Sequence, residues 1–135
     1  MDDVRMTIVV GYVPTPEGAA ALTAAISEAQ IRKEAVHVIN RSLGDVTTDP
    51  RYASESVLDG VRAQLDQSGV TYEIEPLVRG PEASEELIDA ADRLAASMIV
   101  IGIRRRSPTG KLLTGSHAQR ILLDANCPVL AVKAS

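Results

Sequence analysis

Hydrophobic and polar positions change period repeatedly along this chain, and each change marks an element. Thr7 to Val13 is a β-branched, apolar run closed by Pro14 and Pro16, which predicts a strand. Glu17 to Lys33 is rich in alanine, with Leu22, Ile26 and Ala29 at helical spacing, and Ala35 to Ile39 returns to a strand pattern. Arg41 to Pro50 has no periodicity and carries Gly44, Asp45, Thr47, Thr48 and Asp49, the composition of a loop. Ser54 to Gln67 then places Val57, Leu58, Val61 and Leu65 on one helical face, and Gly69 stops it.

The second half continues the alternation. Thr71 to Val78 sets Tyr72, Ile74 and Pro76 against Glu73 and Glu75, a half-polar pattern with an internal proline that suits an edge strand. After Gly80-Pro81, Ser84 to Ala95 carries Leu87, Ile88, Ala91 and Leu94 on one face. Ser97 to Ile101 is then apolar on both faces, as a central parallel strand is. A last helix from about Ser116 to Ala125 leads to a last strand from Val129 to Lys133. Strands alternating with helices throughout predict one α/β domain over residues 1–135, a doubly wound five-stranded parallel sheet with helices on both faces.

The most informative chemistry lies between the last two strands. A strand pattern ends at Gly102, Arg104-Arg105-Arg106 follow, and Thr114-Gly115-Ser116 opens a helix. A strand ending at glycine, a cationic loop and a helix whose first amides point back at that glycine form a site for a phosphate group. In open parallel sheets such ligands bind beyond the strand ends, where the strand order reverses. Charge sharpens this reading. Residues 1–103 hold 8 basic and 17 acidic side chains, net −9, whereas residues 104–135 hold 6 and 1, net +5. An acidic protein with its cations gathered at one loop suits a compact anion better than a long polyanion. The plainer reading of Arg104 to Arg106 is a solvated charge run.

Composition narrows the classes. Three tyrosines with no Phe or Trp leave a core of Val, Ile, Leu and Ala and no stacking platform for single-stranded nucleic acid, so no nucleic-acid partner is expected. One cysteine, Cys127, excludes an internal disulfide framework, and its place before a strand reads as a small packed hydrophobe. No apolar run approaches the roughly 18 residues of a membrane helix, and no leader pattern opens the chain. A cytoplasmic protein without a membrane partner is the expectation.

Other motifs fail on inspection. Gly110-Lys111 belongs to a P-loop only with glycine at 105 and Ser or Thr at 112, where Arg105 and Leu112 stand. No dinucleotide fingerprint follows the first strand, and no nucleophile elbow presents a serine. Ser116 reads as the cap of the last helix, with a phosphate contact as an overlay on that geometry. His37 and His117, far apart in sequence, do not compose a metal set, and no general acid, base or nucleophile is recognisable, so no catalytic residue, resident metal or enzymatic activity is expected.

Taken together these residues resemble the universal stress protein family. The family signature is a glycine after the fourth strand, two residues, a second glycine, nine residues, then Gly-Ser or Gly-Thr. Gly102 and Gly115-Ser116 fall at that spacing. Val10-Gly11, Pro16-Glu17 with Ala20-Ala21-Leu22, His37-Val38-Ile39, Gly80-Pro81 and Cys127-Pro128-Val129-Leu130 match supporting positions over nearly the whole chain. The resemblance implies strand order 3-2-1-4-5, homodimers joined through the last strand and, in one branch, ATP or another adenine nucleotide held at the crevice, with magnesium as a companion ion. The nucleotide positions it implies are Gly11, Val13, Val38, Gly102, Arg105, Gly115, Ser116 and His117, to which the charge pattern adds Arg104, Arg106 and Lys111.

Two of these depart from the nucleotide-binding pattern. Val13 stands where that branch has aspartate, which removes a hydrogen-bonding carboxylate worth ~1 to 3 kcal/mol. Arg105 replaces the second glycine, which hinders close backbone approach and adds a guanidinium able to grip phosphate oxygens. Two functions of different kinds follow. One is a regulatory domain binding ATP, AMP or a related phosphorylated ligand. The other is a dimeric interaction module that retains no nucleotide and docks its basic loop on an acidic partner; slow ATP hydrolysis is a weaker third. The dimer has a basis in the residues too, since Val129, Leu130, Ala131 and Val132 would leave an apolar strand edge in need of cover.

Overall fold

The structure, a computed structural model, describes residues 6–41, 50–78, 83–103 and 115–134. Its elements run β1 (Thr7–Tyr12), α1 (Pro16–Arg32), β2 (Ala35–Arg41), α2 (Pro50–Ser68), β3 (Tyr72–Val78), α3 (Ala83–Leu94), β4 (Met98–Ile103), α4 (Gly115–Asp124) and β5 (Val129–Lys133). All neighbouring strands are parallel, in the order β3-β2-β1-β4-β5. β3 is therefore an edge, as its glutamates and Pro76 predict, and β5 is the other.

Two cores sandwich the sheet. On one face Ile8, Val10, Val36, Val38, Met98 and Val100 meet Ala21, Leu22, Ala25, Ile26 and Ala29 of α1 and Val61 and Leu65 of α2. On the other, Val9, Ile39, Ile99 and Ile101 meet Leu87, Ala90 and Ala91 of α3 and Ala118 and Ile121 of α4. The alternation of Ile8, Val9 and Val10 onto opposite faces, each fully buried, is the pleat of a central strand. Each such side chain contributes about 1.5–3 kcal/mol. Alanines every fourth residue along α1 let that helix lie close over β1 and β4.

Element ends have local causes. α1 starts at the N-cap Thr15, whose hydroxyl accepts from the Gly18 amide at 3.1 Å, with Pro16 in the first turn where no amide is needed. It stops at Lys33 in the left-handed region (φ 60°), the Glu34 amide reaching back to the Ala29 carbonyl at 3.0 Å. α3 stops in the same way, with Ala95 at φ 50° and the Ala96 amide 2.8 Å from the Ala91 carbonyl.

Several expected boundaries move. β2 extends past Ile39 because Asn40 pairs with Tyr12 and Arg41 with Val78, across an irregularity in the β2 and β3 register. β4 does not end at Gly102: Gly102 and Ile103 pair with Val132 and Lys133. α2 begins at Pro50, so the segment read as a loop feeds directly into a helix; residues 42–49 lie outside the described residues.

Candidate functional site: the crevice between β1 and β4

Helices α1 and α2 cover one face and α3 and α4 the other, so the chain switches faces where β1 and β4 lie side by side. β1 leads into α1 on one face, while α4, which follows β4 in sequence, lies on the other, and in open parallel sheets it is at such a switch that a crevice lies beyond the strands' carboxyl ends. Tight packing shapes it. After Tyr12 the Val13 carbonyl accepts from the Thr15 amide at 2.8 Å, turning the chain into α1. A β-carbon on Gly18 would sit 1.9 Å from the Val13 carbonyl oxygen, so only glycine lets the first turn of α1 fold back onto this bend.

Gly102 meets the same turn from the side of β4. A β-carbon there would lie 2.1 Å from the Glu17 carbonyl oxygen and 3.0 Å from the Glu17 β-carbon. On the opposite face a β-carbon on Gly11 would approach Leu87 Cδ1 of α3 to 2.9 Å. The glycines near the ends of β1 and β4 are thus packing requirements of α1 and α3 in their own right. Their role in admitting α1 and Leu87 was not visible in the sequence, since it depends on which helix crosses which strand.

The expected site residues divide four ways. Gly11 and Gly102 lie near the carboxyl ends of adjacent strands, and Val13 follows β1 directly. Val38 lies mid-strand, paired with Val10 and Ile74, and its side chain is fully buried in the core under α1 and α2. Gly115, Ser116 and His117 form the first turn of α4. Arg104, Arg105, Arg106 and Lys111 lie outside the described residues. Polar groups missed by the sequence reading are also buried in β2 and at the head of α3: Asn40 is 3 % exposed and Ser84 1 %. Tyr12 faces Asn40 in the backbone register of β1 and β2, and burial pushes the pKa of its phenol up. Their signal is a polar residue at the end of an otherwise apolar strand or the start of an amphipathic helix.

Other titratable groups have structural partners. His37 is buried, its Nε2 2.9 Å from Glu75 Oε1, and Arg93 of α3 donates to the same oxygen at 2.8 Å. Because a carboxylate only accepts, the Nε2 of His37 carries the proton in this pair. Burial pushes the Glu75 carboxyl up, but the Arg93 and His37 hydrogen bonds outweigh it and hold the group below the usual range. Cys127 is half-buried; burial and the charge of Asp92 push its thiol up, the opposite of activation. Among the described residues no group of three or more His, Cys, Asp or Glu is placed to hold a metal, and no helix is long and apolar enough to cross a membrane.

Comparison with known proteins agrees with this architecture. The sequence model of the universal stress protein family matches residues 5–133. A universal stress protein of Mycolicibacterium smegmatis is 49% identical over 126 residues, which is 93% of this chain and 96% of that protein. A universal stress protein structure from Archaeoglobus fulgidus superposes with a TM-score of 0.77 at 36% identity, covering 95% of this chain and 98% of the other. A second structure from that organism, described as a complex with dAMP, gives 0.73 at 29% identity, covering 97% and 100%. With its sheet order, its face-switching crevice and these likenesses, the chain belongs to the universal stress protein family.

Proposed function

We propose that this chain is a regulatory, non-enzymatic domain that binds an adenine nucleotide, ATP or AMP, or a closely related phosphorylated ligand, at the crevice between β1 and β4. The observation that carries the reading is the juxtaposition of Gly11 and Gly102 near the ends of adjacent strands at the switch point. The likeness to a family structure described as a complex with dAMP supports the same ligand class.

In this reading Gly102 and the first turn of α4, Gly115 and Ser116, supply backbone and hydroxyl donors to phosphate, with His117 beside them. Arg104, Arg105, Arg106 and Lys111 neutralise the phosphates, and magnesium accompanies a triphosphate. Val13 and the backbone around Val38 flank the base. Val13 brings no carboxylate, so affinity leans on the phosphate end and selectivity among bases is modest. β5 pairs with a second copy through Val129, Leu130, Ala131 and Val132, and the protein works in the cytoplasm.

Isothermal titration with ATP, ADP, AMP and pyrophosphate, with and without magnesium, tests this. Adenylate binding that weakens about tenfold or more in Arg105→Ala/Ser116→Ala is expected. Pyrophosphate binding equally well would mean a phosphate grip without base recognition. No binding of any of them would favour the second reading, an interaction module whose basic loop docks on an acidic partner, for which Val13 and Arg105 at the two motif positions are the specific motive.

A further inference from the structure

Three residues from three elements converge on one carboxylate oxygen outside the crevice. His37 Nε2 of β2 lies 2.9 Å from Glu75 Oε1 of β3, and Nη2 of Arg93 in α3 donates to the same atom at 2.8 Å. Arg93 and Glu75 alone would be a surface ion pair of little weight, since the Arg93 side chain is 59% exposed. His37 changes that, because its side chain is 7% exposed and holds the carboxylate from inside the sheet.

The network stands where apolar packing stops. Among the described residues the cluster beneath α3 and α4 draws on β1, β2, β4 and β5 and takes nothing from β3. The hydrogen bond from Arg93 ties α3 to that edge of the sheet instead. Register gives the tie its reach. Gly11 of β1 pairs with Ile39 of β2, and Ile39 with Glu75 of β3, so the three form one row across the sheet near the strands' carboxyl ends. Helix α3 meets this row at both ends: Leu87 lies against Gly11, where a β-carbon would come within 2.9 Å of Cδ1, and Arg93 holds Glu75. His37, the third member, immediately precedes Val38 in β2.

We infer that Glu75 is a positioning residue for the base side of the crevice: through Arg93 it holds α3, and with it Leu87, against Gly11, and through His37 it fixes β2 beside Val38. The inference rests on the nucleotide reading above and extends it to a residue that touches no ligand. Gly102, on the phosphate side, is fixed separately, by Glu17 of α1 and by its pairing with Val132. Loss of the network therefore weakens recognition of the base and spares the grip on phosphate.

Titration of the full chain with AMP and with pyrophosphate, beside proton–nitrogen spectra of the ligand-free protein, tests this. In Glu75→Ala the dissociation constant for AMP should rise about fivefold or more while that for pyrophosphate stays within about twofold, a split that a general loss of stability would not produce. Glu75→Gln, which keeps an acceptor oxygen, should recover part of the loss. Arg93→Ala, at an exposed helix position, should move the Gly11 amide, two strands away from Glu75, as Glu75→Ala does, and it carries the same test if Glu75→Ala fails to fold. Glu73→Ala, whose carboxylate is 82% exposed and 3.8 Å from the other ring nitrogen of His37, should leave both the AMP affinity and the Gly11 amide unchanged. Unchanged AMP affinity in Glu75→Ala, equal losses for AMP and pyrophosphate, or a Gly11 amide that stays in place overturns the inference. A wild type that binds no AMP overturns the nucleotide reading and the base-side role with it, and the Gly11 amide of the ligand-free variants then still shows whether Glu75 holds α3.

Discussion

Gly102 of β4 lies so close to Glu17 in the first turn of α1 that a β-carbon on the glycine would come within 2.1 Å of the Glu17 carbonyl oxygen. The obstacle is backbone, fixed by the Thr15 cap and by the fold-back at Gly18, so it cannot move aside cheaply. Gly102→Ala should therefore destabilise the domain by about 2–3 kcal/mol, several degrees of melting temperature at this size. At Gly11 the obstacle is the tip of the Leu87 side chain. Gly11→Ala should cost less than about 1.5 kcal/mol, and Leu87→Val should recover part of it. Thermal melts of the three variants decide the point; equal losses at the two glycines would contradict this account.

Helix ends offer a prediction of opposite sign. Lys33 and Ala95 hold left-handed conformations that glycine adopts without steric penalty. Lys33→Gly and Ala95→Gly should each stabilise by up to about 1 kcal/mol, whereas Gly69→Ala at φ 80° should destabilise by about as much. Chemical denaturation curves with unchanged slopes would measure all three.

The cap that sets α1 against β4 should be separately measurable. Thr15→Ala removes the acceptor for the Gly18 amide and should cost about 1 kcal/mol, while Thr15→Ser should retain most of it. Loss of the serine rescue would mean that the threonine methyl, not the hydroxyl, matters.

Acid should act through Glu75. Its folded carboxyl is held below the ordinary value by Arg93 and His37 despite burial, so the unfolded chain takes up the proton first as pH falls. Its contribution is present above the ordinary carboxylate range and disappears as pH falls through the folded value. Glu75→Gln should lower stability by about 1 kcal/mol near neutral pH, and the gap from wild type should close in acid. Melting temperatures between neutral and acid pH check this, and a gap that widens in acid would reverse the sign.

Much of the fold was legible because strand and helix periods alternate cleanly. β5 matches its expected bounds, and β1 and α1 match within one residue. The ends of β2 and β4 were not, because Asn40, Arg41, Gly102 and Ile103 are extended by their neighbours' ladders, not by their own patterns. The pairing of His37 with Glu75 was hidden for a similar reason: it depends on parallel register, which places His37 opposite Glu73. At the crevice, Gly102 was read only as a phosphate neighbour, and its packing on Glu17 needed the path of α1. The strand order came from resemblance to a family, since local patterns carry no record of which strands adjoin.

The most direct test of the central claim is a proton–nitrogen correlation spectrum of the labelled protein titrated with ATP and magnesium. The amides of Gly11, Val13, Gly102, Gly115 and Ser116 should shift together and saturate along one binding curve, with β3 unmoved. Unchanged spectra at millimolar ATP, or shifts confined to residues away from β1, β4 and the head of α4, would contradict a nucleotide site at this crevice.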